Sequence, residues 1–475
     1  MRNMGRRSVL LLAAALASGC TEEPVEPTST PKSESAAKKP TPKIDAESKA
    51  RYFGGHQDLR ERIRQAHANA GTAGTKRAAR TRNLQLLAHV PLEGLSADVW
   101  AHKGFAYVGT WIIGGPPDFP FCPAHGVRIV DVSNQSNPKF VGAVAVIPGT
   151  SQEDVVVARI NTKSFHGDLL VTGIQTCFGD VLGGIDIWDV TNPGSPEHLA
   201  FWPVSSVTPA EGGANGVHEL FLFQRGNLAY VTAAVPFSEF SPAGGGGDFR
   251  LVDVTDPRNP VQVGEWGAFA DASLAPEPGQ DFFAHSATAD HTGRTAIVSY
   301  WDAGAILLDI SDPTQPTFIG RTIYPAGSDG DTHSIWLARG GNLMLTADED
   351  FDPASGGTWG FLRLWNVKDP TAPVEIGRFG TANALTPPRT PEGDFACCFS
   401  IHNPFVRGST AYISWYSDGI RVVDISQPSA PREIASFVPD YVFPFVWGIY
   451  VDRDLIFASD FETGLYILKH TSGKA

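Results

Sequence analysis

The chain has 475 residues and a formal net charge of −14. This acidic balance argues against nucleic acid as a partner, because binding to phosphate needs a basic surface that displaces counterions. With 49 Gly, 36 Pro and 10% aromatic residues, the composition is typical of many short strands joined by tight turns.

The first twenty residues predict an export signal that ends in a lipid-attachment site. A segment with three arginines precedes residues 9–17, an apolar stretch too short to span a bilayer. Residues 17–20, Ala-Ser-Gly-Cys, resemble a bacterial lipobox in which Cys20 carries the lipid; the alternative is a plain secretory signal with an incidental cysteine. The adjacent arginines leave the general and the twin-arginine export routes open. We therefore expect an exported lipoprotein, periplasmic or at the cell surface, whose membrane contact is its anchor.

Residues 21–82 predict a disordered tether between the lipid and a folded domain. Their first half has almost no large apolar side chain and so cannot bury enough surface to fold. A short helix is expected at 58–70, and the basic run at 76–82 is interpreted as a solvated linker. The folded body then spans 83–470, and 471–475 form a tail.

One short pattern recurs through the folded body and predicts its fold class. It is an apolar run that ends in Asp or Asn and is followed by a polar turn, usually with Pro. A shorter seventh copy lies at 464–469, and the six full copies place the Asp or Asn at Asp131, Asp189, Asp253, Asp309, Asn366 and Asp424. A repeat of this length is a supersecondary unit that buries its faces only against its neighbours.

Each repeat predicts four short strands, because β-branched and apolar runs alternate with Gly, Pro and Asn. Four-stranded units repeated around an axis are the blades of a propeller, and counting the innermost strands gives seven. The sequence thus predicts an all-β fold, a seven-bladed β-propeller. The last repeat has only three strands, so we expect an N-terminal strand at 84–90 to close its blade. The Asp of each turn is expected to accept a backbone N–H.

Two of these repeats also indicate a family. Val-Arg-Ile-Val-Asp-Val-Ser at 127–133 and Ile-Arg-Val-Val-Asp-Ile-Ser at 420–426 resemble the name-giving motif of the LVIVD-repeat family of bacterial and archaeal surface proteins. The resemblance covers about 84–470, and the part from 400 to 468 is also similar to choice-of-anchor B surface proteins. Both families imply a propeller in a cell-surface setting, and neither implies an activity.

The innermost strands carry the candidate site residues. Blades three to six each have a histidine at what we take to be one position of this strand, and the four are His218, His285, His333 and His402 among only 13 in the chain. Asp98 and Asp154 are assigned to the same position in blades one and two. Innermost strands line the central channel, so equivalent positions form a ring around one axis.

Converging imidazoles predict a transition-metal site, because imidazole is a good ligand for Cu, Fe, Zn and Ni. Asp98 and Asp154 would be further ligands, or acceptors for imidazole N–H groups. The alternatives are a polar ring that lines a solvent-filled channel and a pocket for a small ligand.

Four further cysteines follow Cys20. Cys122 and Cys177 lie in equivalent loops of blades one and two, which predicts a disulfide in an oxidising compartment. Cys397 and Cys398 are adjacent, and a vicinal disulfide, loop stapling, free thiols and metal ligation near His402 all stay open.

Long loops on the face above the histidines predict a lid that binds a protein or a glycan. The acidic run 348–350 at this face is interpreted as a solvated loop, with a Ca²⁺ site as the alternative.

Two functions are therefore open: a surface-anchored binding or scaffold module with an axial metal, and a metal-dependent enzyme, an oxidoreductase or a hydrolase. No nucleophile elbow, phosphate loop or haem motif occurs, so no catalytic residue is predicted. An open coordination position would favour the enzyme, and a closed ring the module.

Overall fold

The structure is a computed structural model that describes residues 79–111, 125–177, 179–275, 280–325, 330–350, 358–386, 398–441 and 444–471. It is all-β, with 52% strand and 4% helix, and seven small sheets in a ring form a seven-bladed β-propeller, as predicted. Among the helices in these ranges, none combines the length and apolar character needed to cross a membrane.

Two strands precede the first blade, β1 (Arg80–Arg82) and β2 (Leu84–Val90). Blade one contains β3–β6, which span Ser96–His102, Phe105–Thr110, Val127–Asp131 and Lys139–Val144. Blade two contains β7–β11, which span Thr150–Ser151, Val155–Asn161, His166–Thr176, Gly184–Asp189 and Glu197–Pro203. Blade three contains β12–β15, which span Leu220–Arg225, Leu228–Ala234, Phe249–Asp253 and Val261–Trp266.

The other blades repeat this arrangement. Blade four contains β16–β19, which span Ser286–Ala289, Thr295–Ser299, Ala305–Asp309 and Thr317–Arg321. Blade five contains β20–β23, at Thr332–Ala338, Leu343–Asp348, Leu362–Asn366 and Val374–Phe379. Blade six contains β24–β27, at Pro404–Arg407, Thr410–Trp415, Gly419–Asp424 and Arg432–Val438. Blade seven contains β28–β30, at Val446–Asp452, Leu455–Asp460 and Gly464–His470, and the described α-helix is α1 (Ala268–Ala272).

The ring is closed by the N-terminal strand, as predicted. Strand β2 pairs antiparallel with β30, with Leu84 opposite His470 and Val90 opposite Leu465. Leu84 and Val90 are buried, so the strand supplies apolar packing as well as hydrogen bonds. The outer edge of blade seven is therefore covered.

The propeller begins earlier than predicted. Strand β1 pairs antiparallel with β27 and gives blade six a fifth strand, so placing Arg80–Arg82 in the tether was wrong. All three of its residues are exposed, which explains why apolar patterning did not reveal it. The predicted helix at 58–70 and the rest of the tether lie outside the described residues.

The repeated Asp or Asn holds the turn after the third strand of its blade. In six blades its side-chain oxygen accepts the backbone N–H of the residue two positions later, at distances of 2.7–3.2 Å. This Asx turn is the arrangement expected from the sequence. The sequence repeat thus follows from a turn that the chain must make once per blade.

We expect Asp424→Ala to lower the free energy of unfolding by about 1 kcal/mol, because the N–H of Ser426 loses its acceptor. Urea unfolding followed by circular dichroism measures the difference. Asp424→Asn is the matched control, since blade five uses Asn366 at this position. Equal losses in both variants would contradict the role assigned to the side-chain oxygen.

Candidate metal centre at the propeller axis

The four predicted histidines form one arc around the axis. His218, His285 and His402 lie directly before or near the start of the innermost strands β12, β16 and β24, and His333 lies within β20. Successive rings are adjacent, with centroid separations of 4.2, 3.9 and 4.3 Å along the series. The structure thus brings the imidazoles together, and metal binding stays a prediction.

Two groups within the arc have the geometry of a metal site. Glu219, His285 and His333 form one group, and His333, Glu349 and His402 form the other; in each, the ligand atoms lie within 4.8 Å of one another. Each group offers two imidazoles and one carboxylate, the donor set of catalytic zinc and non-haem Fe(II) sites. His333 belongs to both groups.

The hydrogen bonds of His402 orient it as a ligand. Its Nδ1 lies 2.8 Å from the carbonyl oxygen of Trp447, and a carbonyl only accepts, so Nδ1 carries the hydrogen. The lone pair is then on Nε2, which lies 4.0 Å from Oε1 of Glu349. Imidazoles that bind metals commonly donate their other N–H to a backbone carbonyl in this way.

A second chain of contacts orients His285. His218 Nδ1 lies 2.7 Å from both Gln175 Oε1 and Glu153 Oε2, so it donates, and the lone pair on its Nε2 accepts from His285 Nε2 at 2.8 Å. The lone pair of His285 is then on Nδ1, 3.7 Å from Oε1 of Glu219. His218 belongs to neither three-residue group and instead fixes the tautomer of its neighbour.

The electrostatics of the arc favour a cation. Burial raises the pKa of Glu153, Glu219 and Glu349 well above the ordinary value, and repulsion from other carboxylates adds to the effect on Glu219 and Glu349. Burial also lowers the pKa of His218 to about 3, against the attraction of Asp154. Neutral imidazole is the form that binds metal, and a bound cation would let the carboxyl groups ionise.

Asp98 and Asp154 lie one residue further along their strands than predicted. The backbone carbonyl of Asp154 accepts a hydrogen bond from the N–H of Gly173, and that of Glu219 accepts one from the N–H of Ala234. Gly173 and Ala234 both lie in the second strand of their blade, so Asp154 and Glu219 occupy equivalent positions. Asp98 and Asp154 therefore align with Glu219, and Glu153 is the residue that aligns with the histidines. The assignment of both aspartates to the histidine position was wrong, because short strands allow two alignments that differ by one residue.

Sequence reasoning missed Glu153 and Glu349 as partners of the arc. Glu349 Oε2 lies 3.4 Å from His333 Nε2, and its Oε1 accepts a hydrogen bond from Tyr416. The solvated-loop interpretation of 348–350 was wrong for two members, since Asp348 and Glu349 are buried. The two carboxyl groups have different partners: Asp348 accepts a hydrogen bond from Arg363 Nε at 2.5 Å, whereas Glu349 contacts His333. They therefore do not form one Ca²⁺ site. The available signal for Glu349 was its place at the end of a second strand on the histidine face.

The arc is closed among the described residues. Each of the four histidines is at most 1% exposed. Aromatic rings pack against them, with Trp301 5.4 Å from His285 and Trp447 4.5 Å from His402 between centroids. A ring this enclosed favours a structural role over substrate access.

Several predicted features lie outside the described residues. The cysteines outside them are Cys20, Cys122 and Cys397. The loop segments outside them include 112–124, 351–357 and 387–397, all from the predicted lid. The cysteine pairings and the lid stay predictions.

Fold and site define a class of protein, a seven-bladed β-propeller whose axis carries a buried cluster of histidines and glutamates. The LVIVD repeat matches residues 124–146, 293–323 and 405–438, which confirms the predicted resemblance to the LVIVD-repeat family. The resemblance to choice-of-anchor B proteins stays a prediction. No curated protein matches the chain.

Solved structures show likeness at the level of the fold. Chaetomium thermophilum Raptor is 11% identical with a TM-score of 0.51, and the match covers 86% of this chain and 30% of the Raptor chain. At this identity the likeness shows the fold alone. The computationally designed Ika8 protein is 9% identical over 81% of this chain and 99% of its own, with a TM-score of 0.44, too low to support an argument.

Proposed function

We propose that this chain is an envelope-anchored binding or scaffold module that holds one transition-metal ion at the axis of its propeller. The LVIVD-repeat propeller supports the binding or scaffold role. The observation that carries the metal is the convergence of imidazoles and carboxyl groups: in each of two groups, Glu219 with His285 and His333, and Glu349 with His333 and His402, the ligand atoms lie within 4.8 Å of one another.

The expected stoichiometry follows from the sharing of His333. An imidazole with one nitrogen protonated has a single lone pair, so His333 serves one group at a time. We therefore propose about one ion per chain, held by His333 together with either His285 and Glu219 or His402 and Glu349. The donor set favours Zn²⁺ or Fe²⁺ among the four candidate metals.

The metal is proposed to be structural. If the ion binds the folded chain and not the unfolded chain, a free concentration about one hundred times its dissociation constant adds about 2.7 kcal/mol to the free energy of unfolding. The experiment is thermal unfolding of chelator-stripped protein with and without added Zn²⁺ or Fe²⁺. We expect one of these two ions to raise the midpoint by a few degrees. If none of Zn²⁺, Fe²⁺, Cu²⁺ and Ni²⁺ changes the midpoint, the result counts against the proposal.

The enzyme alternative is favoured by one observation, the two-histidine, one-carboxylate donor set that catalytic sites share. Burial of the four histidines opposes it, since a catalytic metal needs a coordination position that substrate can reach. Exchange with a small anion distinguishes the two: azide shifts the absorption spectrum of the Co²⁺-substituted protein only where a position is open.

Attachment to the membrane is proposed to run through a lipid on Cys20. The signal-like segment before it supports this, and so does the extracellular setting of the family that the sequence resembles. Replacing Cys20 with Ser should move the protein from the detergent phase to the aqueous phase in Triton X-114 partition. Retention in the detergent phase would exclude lipidation of this cysteine as the anchor.

The oxidising setting is supported by the cysteines. We propose the pairs Cys122–Cys177 and Cys397–Cys398, both at the loop face where a protein or glycan partner would bind. Stapled loops keep such a surface in one conformation and lower the entropy lost on binding.

A further inference from the structure

A cavity of about 90 Å³ is lined by residues from the innermost strands of all seven blades. Three carboxyl side chains line it, those of Asp98, Asp154 and Glu219. No Lys, Arg or His is among the described residues of its wall. A cavity on the scale of a few water molecules, surrounded by carboxyl groups without a basic partner, is suited to a small cation.

The carboxyl groups of this cavity have acceptor positions that the protein does not fill. Glu219 is 8% exposed, and its Oε1 makes no hydrogen bond among the described residues. On the protein side, Asp98 Oδ1 accepts from Asn403 Nδ2 at 2.7 Å, and Asp154 Oδ2 accepts from the Leu220 N–H at 2.9 Å. Each of these two aspartate side chains can accept further hydrogen bonds, because a carboxylate has about four acceptor sites.

Aromatic side chains surround the mouth of this cavity. They come from one position of the innermost strand, two residues beyond the carboxyl layer, in five of the seven blades, and they are Trp100, Phe221, Trp336, Phe405 and Tyr450. Four of them form a continuous arc, in which the centroid distances are 4.5 Å for Trp336–Phe405, 4.7 Å for Phe405–Tyr450 and 4.2 Å for Trp100–Tyr450. All five rings are only partly buried.

We infer that this collar and the carboxyl layer behind it bind the head of an alkylammonium ligand, the class that includes choline and methylated lysine side chains. Aromatic faces attract such cations through their quadrupoles, and aromatic cages are a recurrent way of recognising quaternary ammonium groups. A hard metal ion would prefer oxygen ligands and would gain little from the rings. A neutral sugar would stack on them but would leave the buried carboxyl groups without a counter-charge.

This site is separate from the proposed metal centre. Four of its elements, Asp98, Asp154, Trp336 and Phe405, belong to neither metal group. Glu219 borders both sites, so it is not used as a test position. Metal content measured on every variant keeps the two proposals distinguishable.

The experiment is calorimetric titration of the full chain with choline and with 3,3-dimethylbutanol, its neutral analogue of the same shape. We expect choline to bind and the neutral analogue to bind at least about tenfold more weakly. Equal binding of both would overturn the inference in favour of an apolar pocket. Binding of glucose without choline would overturn it in favour of a sugar site, and binding of none of the three would also refute it.

Two variants test the two parts of the site. Phe405→Leu removes one aromatic face, and Asp154→Asn removes one charge while keeping an oxygen for the Leu220 N–H. Each should weaken choline binding at least about tenfold without changing metal content. Phe140→Leu is the matched control, because Phe140 is 57% exposed and lies on an outer strand. Unchanged affinity in both test variants, or an equal loss in the control, would contradict the assignment.

Discussion

Replacing His333 with Ala is expected to remove most of the bound metal while leaving the propeller folded. His333 is the residue that both candidate metal groups share, so its loss leaves neither group complete. The fold should persist because the blades supply the stability through their own sheets and cores. Metal content by mass spectrometry and far-ultraviolet circular dichroism, measured on the same preparation, give the two readouts.

His291→Ala is the control for this change. His291 is exposed and lies outside both metal groups, so metal content should be unchanged. His333→Ala protein that is folded and retains its metal would exclude His333 as a ligand. If the Ala variant does not fold, His333→Gln provides a side chain that keeps a polar group in the cavity.

Removal of the closing strand is expected to have the largest effect on stability. A chain that starts at residue 91 lacks β2, so β30 becomes a free edge and the packing of Leu84 and Val90 is lost. Burial of two such side chains contributes about 3–6 kcal/mol. We expect a large fall in the midpoint of thermal unfolding, or aggregation through the exposed edge.

The matched control is a chain that starts at residue 83, which lacks β1 but keeps β2. Strand β1 is fully exposed and pairs with β27 at three positions, so its loss should change the unfolding midpoint by little. A chain that starts at residue 79 gives the reference value. Similar midpoints for the chains that start at 83 and 91 would contradict the closure of the ring by β2.

The fold could be predicted from the sequence because its determinants are local and repeated. Asp131 and its five equivalents mark one turn per blade, and the apolar runs before them mark the third strand. The closing strand followed from counting, since the last repeat lacked one strand. Strand β1 could not be predicted, because Arg80–Arg82 contribute backbone hydrogen bonds and no buried side chain.

The site could be predicted only in part. The histidines share a column, which the sequence displays once blades are aligned. Glu349 comes from a second strand, and its approach to His333 depends on side-chain directions that an alignment does not contain. Asp98 and Asp154 were misaligned by one residue for a related reason. Adjacent residues of a strand point to different sides, so an alignment shifted by one position places the carboxyl groups in the layer of the histidines.

The arc of histidines and glutamates is proposed to bind a metal. Elemental analysis by mass spectrometry tests it most directly, on Cys20→Ser protein purified without chelators and without a histidine tag. We expect about one equivalent of Zn, Fe, Cu or Ni per chain, with Zn or Fe favoured by the donor set. Protein that contains no transition metal and takes up none from added Zn²⁺, Fe²⁺, Cu²⁺ or Ni²⁺ would contradict it, and the arc would then be a polar lining of the channel.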